Sequence, residues 1–476
     1  MDEQLDTDYL IIGGGAAGMA VADVLFAETD ASIVIVDRRS NPGGHWNDAY
    51  PFVRLHQPSA NYGVHSRPLG DELGRDASPL NRGCLERATS AEIVAYYERL
   101  LADLVASGRV RFLPAHDHTG EVDGLHRVES LLGGASASVR VRRKVVDATA
   151  MCTSVPATHT PTFTVARGVR CIPPNGLARV SAAPEGYVVI GGGKTGVDTC
   201  LWLLEWGVPA GMIRWIVPRD SWFQNRAGMQ PVGELAVDAL AAQTVQAEIA
   251  ATAATVDELF ARMEDAGQLL RLDPGVPPRM FHGAIVSRAE LELLRTITDV
   301  VRLGRVQRVD AHRIVLDEGD VASTAGRLYI DCSAIGAPCT PTKPIFAART
   351  ITPQMVRMLQ PVFSAALIAH VEATVEGDDE ERNALCRPIP MSDAPADWIP
   401  MTLANLANQR AWRSDPQVGE WLMTSRLDRF SRLTRDIAPD DEASLDLVRR
   451  YRTAIPGAIA NLQVLLAASS RRPEAA

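Results

Sequence analysis

Three glycines in a short window define the first piece of chemistry. Gly13, Gly15 and Gly18 form G-x-G-x-x-G, directly after the apolar run Tyr9 to Ile12 and before small and apolar residues at helical spacing. In that setting the first glycine permits a tight turn and the second lets the backbone approach a pyrophosphate. The third lets a helix pack against a strand. The helix N-terminus adds amide donors and a dipole that favours phosphate. Asp37 ends the next apolar run, SIVIVD, at the spacing of about 20 residues expected of a carboxylate that accepts from ribose hydroxyls.

Gly191, Gly193 and Gly196 repeat the pattern after GYVVI, with Lys194 and Thr195 inside the loop. The Gly-Lys-Thr triplet does not make a P-loop, because Val188 stands where that motif needs a glycine. Pro218, Arg219 and Asp220 end the following strand, where a guanidinium is suited to a 2′-phosphate. Arg219, with Arg226 as a second candidate, therefore points to NADPH over NADH. Two dinucleotide units in one chain suggest a flavin held by one and a hydride-delivering nicotinamide at the other.

The run DRRSNPGGHW, residues 37–46, resembles the Gly-Gly-x-Trp loop of the class B flavin monooxygenases, which include flavin-containing, Baeyer–Villiger and N-hydroxylating enzymes. Tyr50, Pro51, Arg54, Ser59 and Tyr62 continue the likeness toward the Baeyer–Villiger branch, and it covers most of residues 8–220. The resemblance implies FAD on Gly13, Gly15, Gly18, Asp37, Arg38, Gly44 and Trp46, and NADPH at the second loop and Arg219. It further implies that a small organic substrate is oxygenated by molecular oxygen through a C4a-(hydro)peroxyflavin. His56, Gln57 and Asn61 follow the loop and are the candidates to hydrogen-bond a flavin oxygen or hydroperoxide. His56 stands roughly where the Baeyer–Villiger branch carries an aspartate.

The departures from the family are specific. Its linker fingerprint, F-x-G-x-x-x-H, is absent from TFTVARGVRCIPPNG, and its Ala-Thr-Gly turns appear as DATA at 147–150 and SAIG at 333–336. Two other readings therefore stay open. One is an FAD-dependent NAD(P)H oxidoreductase or oxidase without oxygen transfer, and the other is a nucleotide-binding redox sensor.

The elements that must position these residues alternate strand and helix. The expected fold is α/β, with two dinucleotide-binding Rossmann-like domains and the NADPH domain inserted in the FAD domain. The expected FAD domain begins at 1–155 and is followed by a linker at 156–184. An NADPH domain is expected at 185–338 with a helical insertion at 221–300. A helical part at 339–476 completes the FAD domain and the substrate pocket. Thr89 with Glu92, and Ser287 with Glu290, have capping-box spacing. From residue 345 the pattern reads as helical, with Pro353 at a helix start and a frayed tail at 469–476.

Composition narrows the partners. The 476 residues carry 58 acidic against 48 basic side chains, a net charge of -10, which speaks against nucleic acid. No apolar run approaches the roughly 18 residues of a membrane span, and the start MDEQLD lacks the basic character of a secretory signal, so no membrane partner and a cytoplasmic location are expected. Seven cysteines without a CxxC pair suggest reduced thiols. His116 and His118 make an H-x-H near a turn, which is weak as a ligand pair, and no metal is expected. The oligomeric state is not legible.

Overall fold

The computed structural model describes residues 3–230, 232–336 and 339–469. The expected boundary at 338 and the tail beyond Ser469 lie outside them. Two sheets form the frame, the first with a parallel centre and antiparallel edges, the second parallel throughout. The first begins with β1 (Glu3–Ile12), α1 (Ala16–Glu28), β2 (Ile33–Asp37), α2 (Ser90–Ala106) and β3 (Val110–Pro114). A hairpin of β4 (His116–Val122) and β5 (Leu125–Ser130) then leads into β6 (Ala137–Asp147). β1 lies between β2 and β6, with Ile11 paired to Ile35 and to Val146. Every residue of β2 is buried, as a parallel strand covered on both faces requires. One face packs Leu10, Val34 and Val36 against Val128 and Val139, and the other packs Ile11, Ile33 and Ile35 under helices.

The second frame starts within the segment expected to be only a linker. β7 (Thr164–Val165) pairs with the strand Val306–Val309, and β8 (Arg170–Ile172) is the edge of the second parallel sheet. β9 (Tyr187–Ile190), α3 (Lys194–Glu205) and β10 (Ile213–Ile216) follow, and the sheet runs Asp299–Val301, β10, β9, Leu328–Asp331, β8. Between β10 and Asp299–Val301 lie α4 (Ala236–Thr252), α5 (Val256–Asp265) and α6 (Arg288–Leu294). Both expected capping boxes are present, Thr89–Glu92 on α2 and Ser287–Glu290 on α6.

After the second sheet the chain returns to the first. Phe346–Ala347 and Thr350–Ile351 form strands, and Thr350 pairs with Val145 of β6. This corrects the helical reading from residue 345: the stretch is an edge hairpin turned at Ala348. The helix start falls at Pro361, the first residue of α7 (Pro361–Thr374), and not at Pro353. α7 packs on α1, whose residues Gly18 to Leu25 are all buried between it and the sheet. Among the described residues no helix is long and apolar enough to cross a membrane.

Candidate functional site

Each glycine loop is built by close backbone approach. At the first, Gly13 adopts φ +99, and a Cβ on Gly18 would overlap the Gly13 carbonyl oxygen, so only glycine lets α1 seat on β1. Gly15 is the N-cap of α1, and no side chain caps the first-turn amides. The Gly-Gly loop lies directly on it: the Gly43 amide donates to the Gly14 carbonyl at 2.8 Å, and a Cβ on Gly44 would stand 2.9 Å from the Gly15 Cα. Asp37 is buried and accepts from the Gly14 amide at 2.6 Å and the Arg39 amide at 2.7 Å. Burial raises its pKa against the pull of those two bonds. Trp46 donates to the Tyr62 hydroxyl at 2.8 Å, whereas Arg38 points outward, 3.8 Å from Asp117.

At the second loop a Cβ on Gly196 would overlap the Gly191 carbonyl oxygen, which also accepts from the Trp215 indole at 2.8 Å. Gly193 is the N-cap of α3, again without a capping side chain, and the space where its Cβ would stand is open. Lys194 turns inward to pair with Asp198, one helical turn on, and burial pushes its pKa down. Asp198 also accepts from the Tyr50 hydroxyl at 2.7 Å, with Thr195 beside the same phenol. Uncapped amides over small residues suit a pyrophosphate at both loops.

The two arginines part company. Arg219 is partly exposed in the bend three residues beyond β10 and makes a bidentate pair with Asp393, at 2.6 and 2.7 Å. His282 joins the same carboxylate at 2.8 Å. Arg226, by contrast, is fully buried and donates to the His56 carbonyl at 2.7 Å, the Ile285 carbonyl at 3.1 Å and Glu290 at 2.8 Å. Glu290 accepts further from Asn81 at 2.9 Å and lies 3.6 Å from Arg87, which pairs with Asp76 at 2.8 Å. Burial alone would raise the Glu290 pKa, but Arg226, Lys194 and Arg87 outweigh it and bring it to about 2. The expectation that Arg226 meets a phosphate is thus corrected: it is an internal cation tying residues 56–87 to α6.

The three candidate catalytic side chains are also separated. His56 faces the cationic group, and burial, followed by Lys194, Arg226 and Arg87, holds its pKa well below the usual value. Its imidazole is therefore neutral at pH 7. Gln57 and Asn61 instead line a cavity closed by helices from residues 224–250 and 357–462. Gln57 reaches the Leu359 carbonyl at 3.4 Å, and Asn61 reaches Gln57 at 3.4 Å. In the β4–β5 hairpin, His118 bonds His126 at 3.1 Å and His116 bonds backbone carbonyls. Asp198 could have been read from its four-residue spacing to Lys194 on one helix face. Asp393 and the glutamines of the cavity carry no local signal.

With both loops and the cavity in place, the fold is that of the two-dinucleotide-domain flavin monooxygenases. A cyclohexanone monooxygenase in its open form aligns over 98% of this chain and 99% of its own at 14% identity and TM-score 0.50. A steroid monooxygenase bound to NADP aligns over 77% and 85% at 16% identity and TM-score 0.50. The NAD(P)-binding Rossmann-like domain family model matches residues 11–70. The chain belongs to the family of the uncharacterized proteins Rv2000 of Mycobacterium tuberculosis and Mb2023 of Mycobacterium bovis. It is 43% identical to each over 471 residues, 99% of this chain and 86% of theirs.

Proposed function

We propose that the protein is an FAD-dependent, NADPH-consuming monooxygenase that uses molecular oxygen on a small organic substrate. The observation that carries the reading is the pair of uncapped glycine loops in one chain, combined with a cavity that Gln57 and Asn61, from the segment after the Gly-Gly-x-Trp loop, help to line. FAD would be held by Gly13, Gly15, Gly18, Asp37, Gly44 and Trp46, and NADPH by Gly191, Gly193, Thr195, Gly196 and Arg219. Bound FAD supplies the two-electron and oxygen chemistry. The chain's own part is to orient and to exclude water. Neutral His56 can donate from one ring nitrogen while accepting at the other, and it keeps extra positive charge out of a region that already holds Lys194 and Arg226. Gln57 and Asn61 offer amide donors at the cavity wall. Lys194 stays bound to Asp198, so the dinucleotide would meet backbone amides and Thr195 there.

The test reduces the purified yellow protein anaerobically with NADPH, then admits oxygen and measures hydrogen peroxide against NADPH consumed. With an accepted substrate, peroxide should fall well below the NADPH consumed and an oxygenated product should appear. Full recovery as peroxide with every substrate tried would favour an oxidase or reductase. Colourless protein that ignores added FAD, and lacks turnover, would favour a nucleotide-binding sensor.

A further inference from the structure

We propose that the cavity beside Gln57 and Asn61 binds an uncharged organic molecule carrying several carbonyl, amide or hydroxyl groups. The cavity has a volume of about 200 Å³, and an adjoining one of about 390 Å³ shares the wall formed by Gln243, Gln246 and Trp398. No glycine-loop residue lines the first cavity, so it is separate from the dinucleotide cradles. Small-molecule pockets are mostly apolar with a few polar groups, and this one is apolar in most of its wall while its polar groups are almost all carboxamides. Gln224, Gln360 and Gln409 present carboxamides that take part in no hydrogen bond among the described residues, and the exposed Gln243 adds another where the two cavities meet. Asn405 accepts from the Met358 amide at 3.1 Å through Oδ1, which leaves its NH₂ group to the cavity. The Thr402 hydroxyl on the same wall is buried without a partner, a site that waits for one.

Charge is sparse where dipoles are dense. The single ionised side chain of the first cavity is Arg357, which is paired at 3.2 Å with the buried Asp428 and lies over the Phe363 and Trp412 rings. No carboxylate stands in its wall among the described residues, and in the adjoining cavity Asp238 is exposed. An ammonium or carboxylate ligand would give up water without meeting a free counter-charge, which weakens its binding. A neutral ligand with both donors and acceptors meets carboxamides, which offer both. Trp398 and Tyr451 supply flat apolar wall for its carbon frame. That this ligand is the substrate rests on the monooxygenase reading above, because Gln57 and Asn61 join the cavity to the segment following the Gly-Gly-x-Trp loop.

The test is calorimetry on the cofactor-loaded protein with phenylacetamide, phenylacetate and phenethylammonium, three probes of nearly equal size. The amide should bind about tenfold or more tighter than either ion. Gln243→Glu and Gln409→Glu, each adding a carboxylate, should move the preference toward the ammonium. Gln243→Leu combined with Gln409→Leu should abolish the preference with the flavin spectrum unchanged. Equal or tighter binding of an ion by the natural chain, no binding of any probe, or a preference that survives the double leucine variant would overturn the proposal. Amide preference without any oxygenated product from the bound amides or their ketone analogues would support the site and remove its role as a substrate pocket. NADPH turnover without amide preference would do the reverse.

Discussion

The two glycine loops share one backbone device and differ in the charged and polar groups that complete it. In both, the third glycine packs under the first glycine's carbonyl, and the helix N-terminus is left without a side-chain cap. The first loop is completed by near neighbours: Asp37 at the end of β2, and Gly43 and Gly44 just after. The second is completed from far away, by Tyr50 on Asp198 and by Asp393 on Arg219. A loop closed locally holds a resident group as part of its own fold. A loop whose charges are matched by distant segments depends on how those segments dock, which suits a ligand that comes and goes.

The sharpest way to break this comparison is to block each loop in turn. Gly18→Val and Gly196→Val both drive a side chain into a backbone carbonyl, an overpacking that costs about 3 kcal/mol or more at the site. Gly18→Val should yield protein without flavin, measured as the absorbance ratio of flavin to protein. Gly196→Val should remain yellow and lose reduction by NADPH. If both variants lose flavin equally, the two loops do not have separate ligands.

Next in size is the buried link between the two frames. Glu290→Gln leaves Arg226 without its counter-ion, and breaking a buried pair from one side costs about 3 to 5 kcal/mol. Thermal unfolding should show a drop of several degrees or more. The sign with pH follows from the depressed carboxyl. Its contribution is fully present above the unfolded value near 4.5 and is lost as pH falls toward about 2. The gap between the natural chain and the variant should therefore close on acidification through that window. A gap that is constant from neutral pH down to 2 would mean that Glu290 acts by packing alone.

How much of this was open to a reader of the sequence follows from contact range. Gly13, Gly15, Gly18 and Asp37 sit within one βαβ unit, so spacing alone places them on a shared turn, and the capping boxes at Thr89 and Ser287 are equally local. Pro353 misled because a second proline, Pro361, is the one that opens α7, and the strand Thr350–Ile351 is held by β6, a partner some 200 residues away in the chain that no local pattern reveals. Arg226 and Arg219 look alike in sequence. One has Glu290 and the other Asp393 as its partner, and only the packing of α6 and of residues 386–397 tells them apart.

Arg219 gives a smaller effect that sharpens the comparison. A 2′-phosphate at Arg219 would have to share the guanidinium with Asp393, whose carboxyl Arg219 and His282 hold well below the usual range. Asp393→Asn should lower the KM for NADPH by about tenfold, with little change for NADH, since one charge-assisted contact is worth about 1.4 kcal/mol or somewhat more. Arg219→Ala should raise the KM for NADPH well above that for NADH. Equal changes for both cofactors would remove Arg219 from recognition.

The smallest expected effect concerns the thiols, where the second loop touches a cysteine. Cys332 is buried, with its carbonyl carbon placed where a Cβ on Gly191 would meet it and its sulfur 3.4 Å from the Thr199 hydroxyl. Burial pushes its thiol up, so little thiolate is present to attack a disulfide or a flavin. Cys339 is exposed, and burial raises its pKa as well. A dithiol reaction needs a reactive thiolate next to its partner, and neither cysteine offers one. Alkylating the accessible cysteines should change NADPH oxidation by less than about twofold, because only exposed thiols react. Cys332→Ser should retain flavin reduction, since Cys332 meets Gly191 mainly through its backbone carbonyl. Loss of reduction with FAD still bound, in a variant with both Cys332 and Cys339 changed to Ser, would instead make the second loop part of a thiol relay.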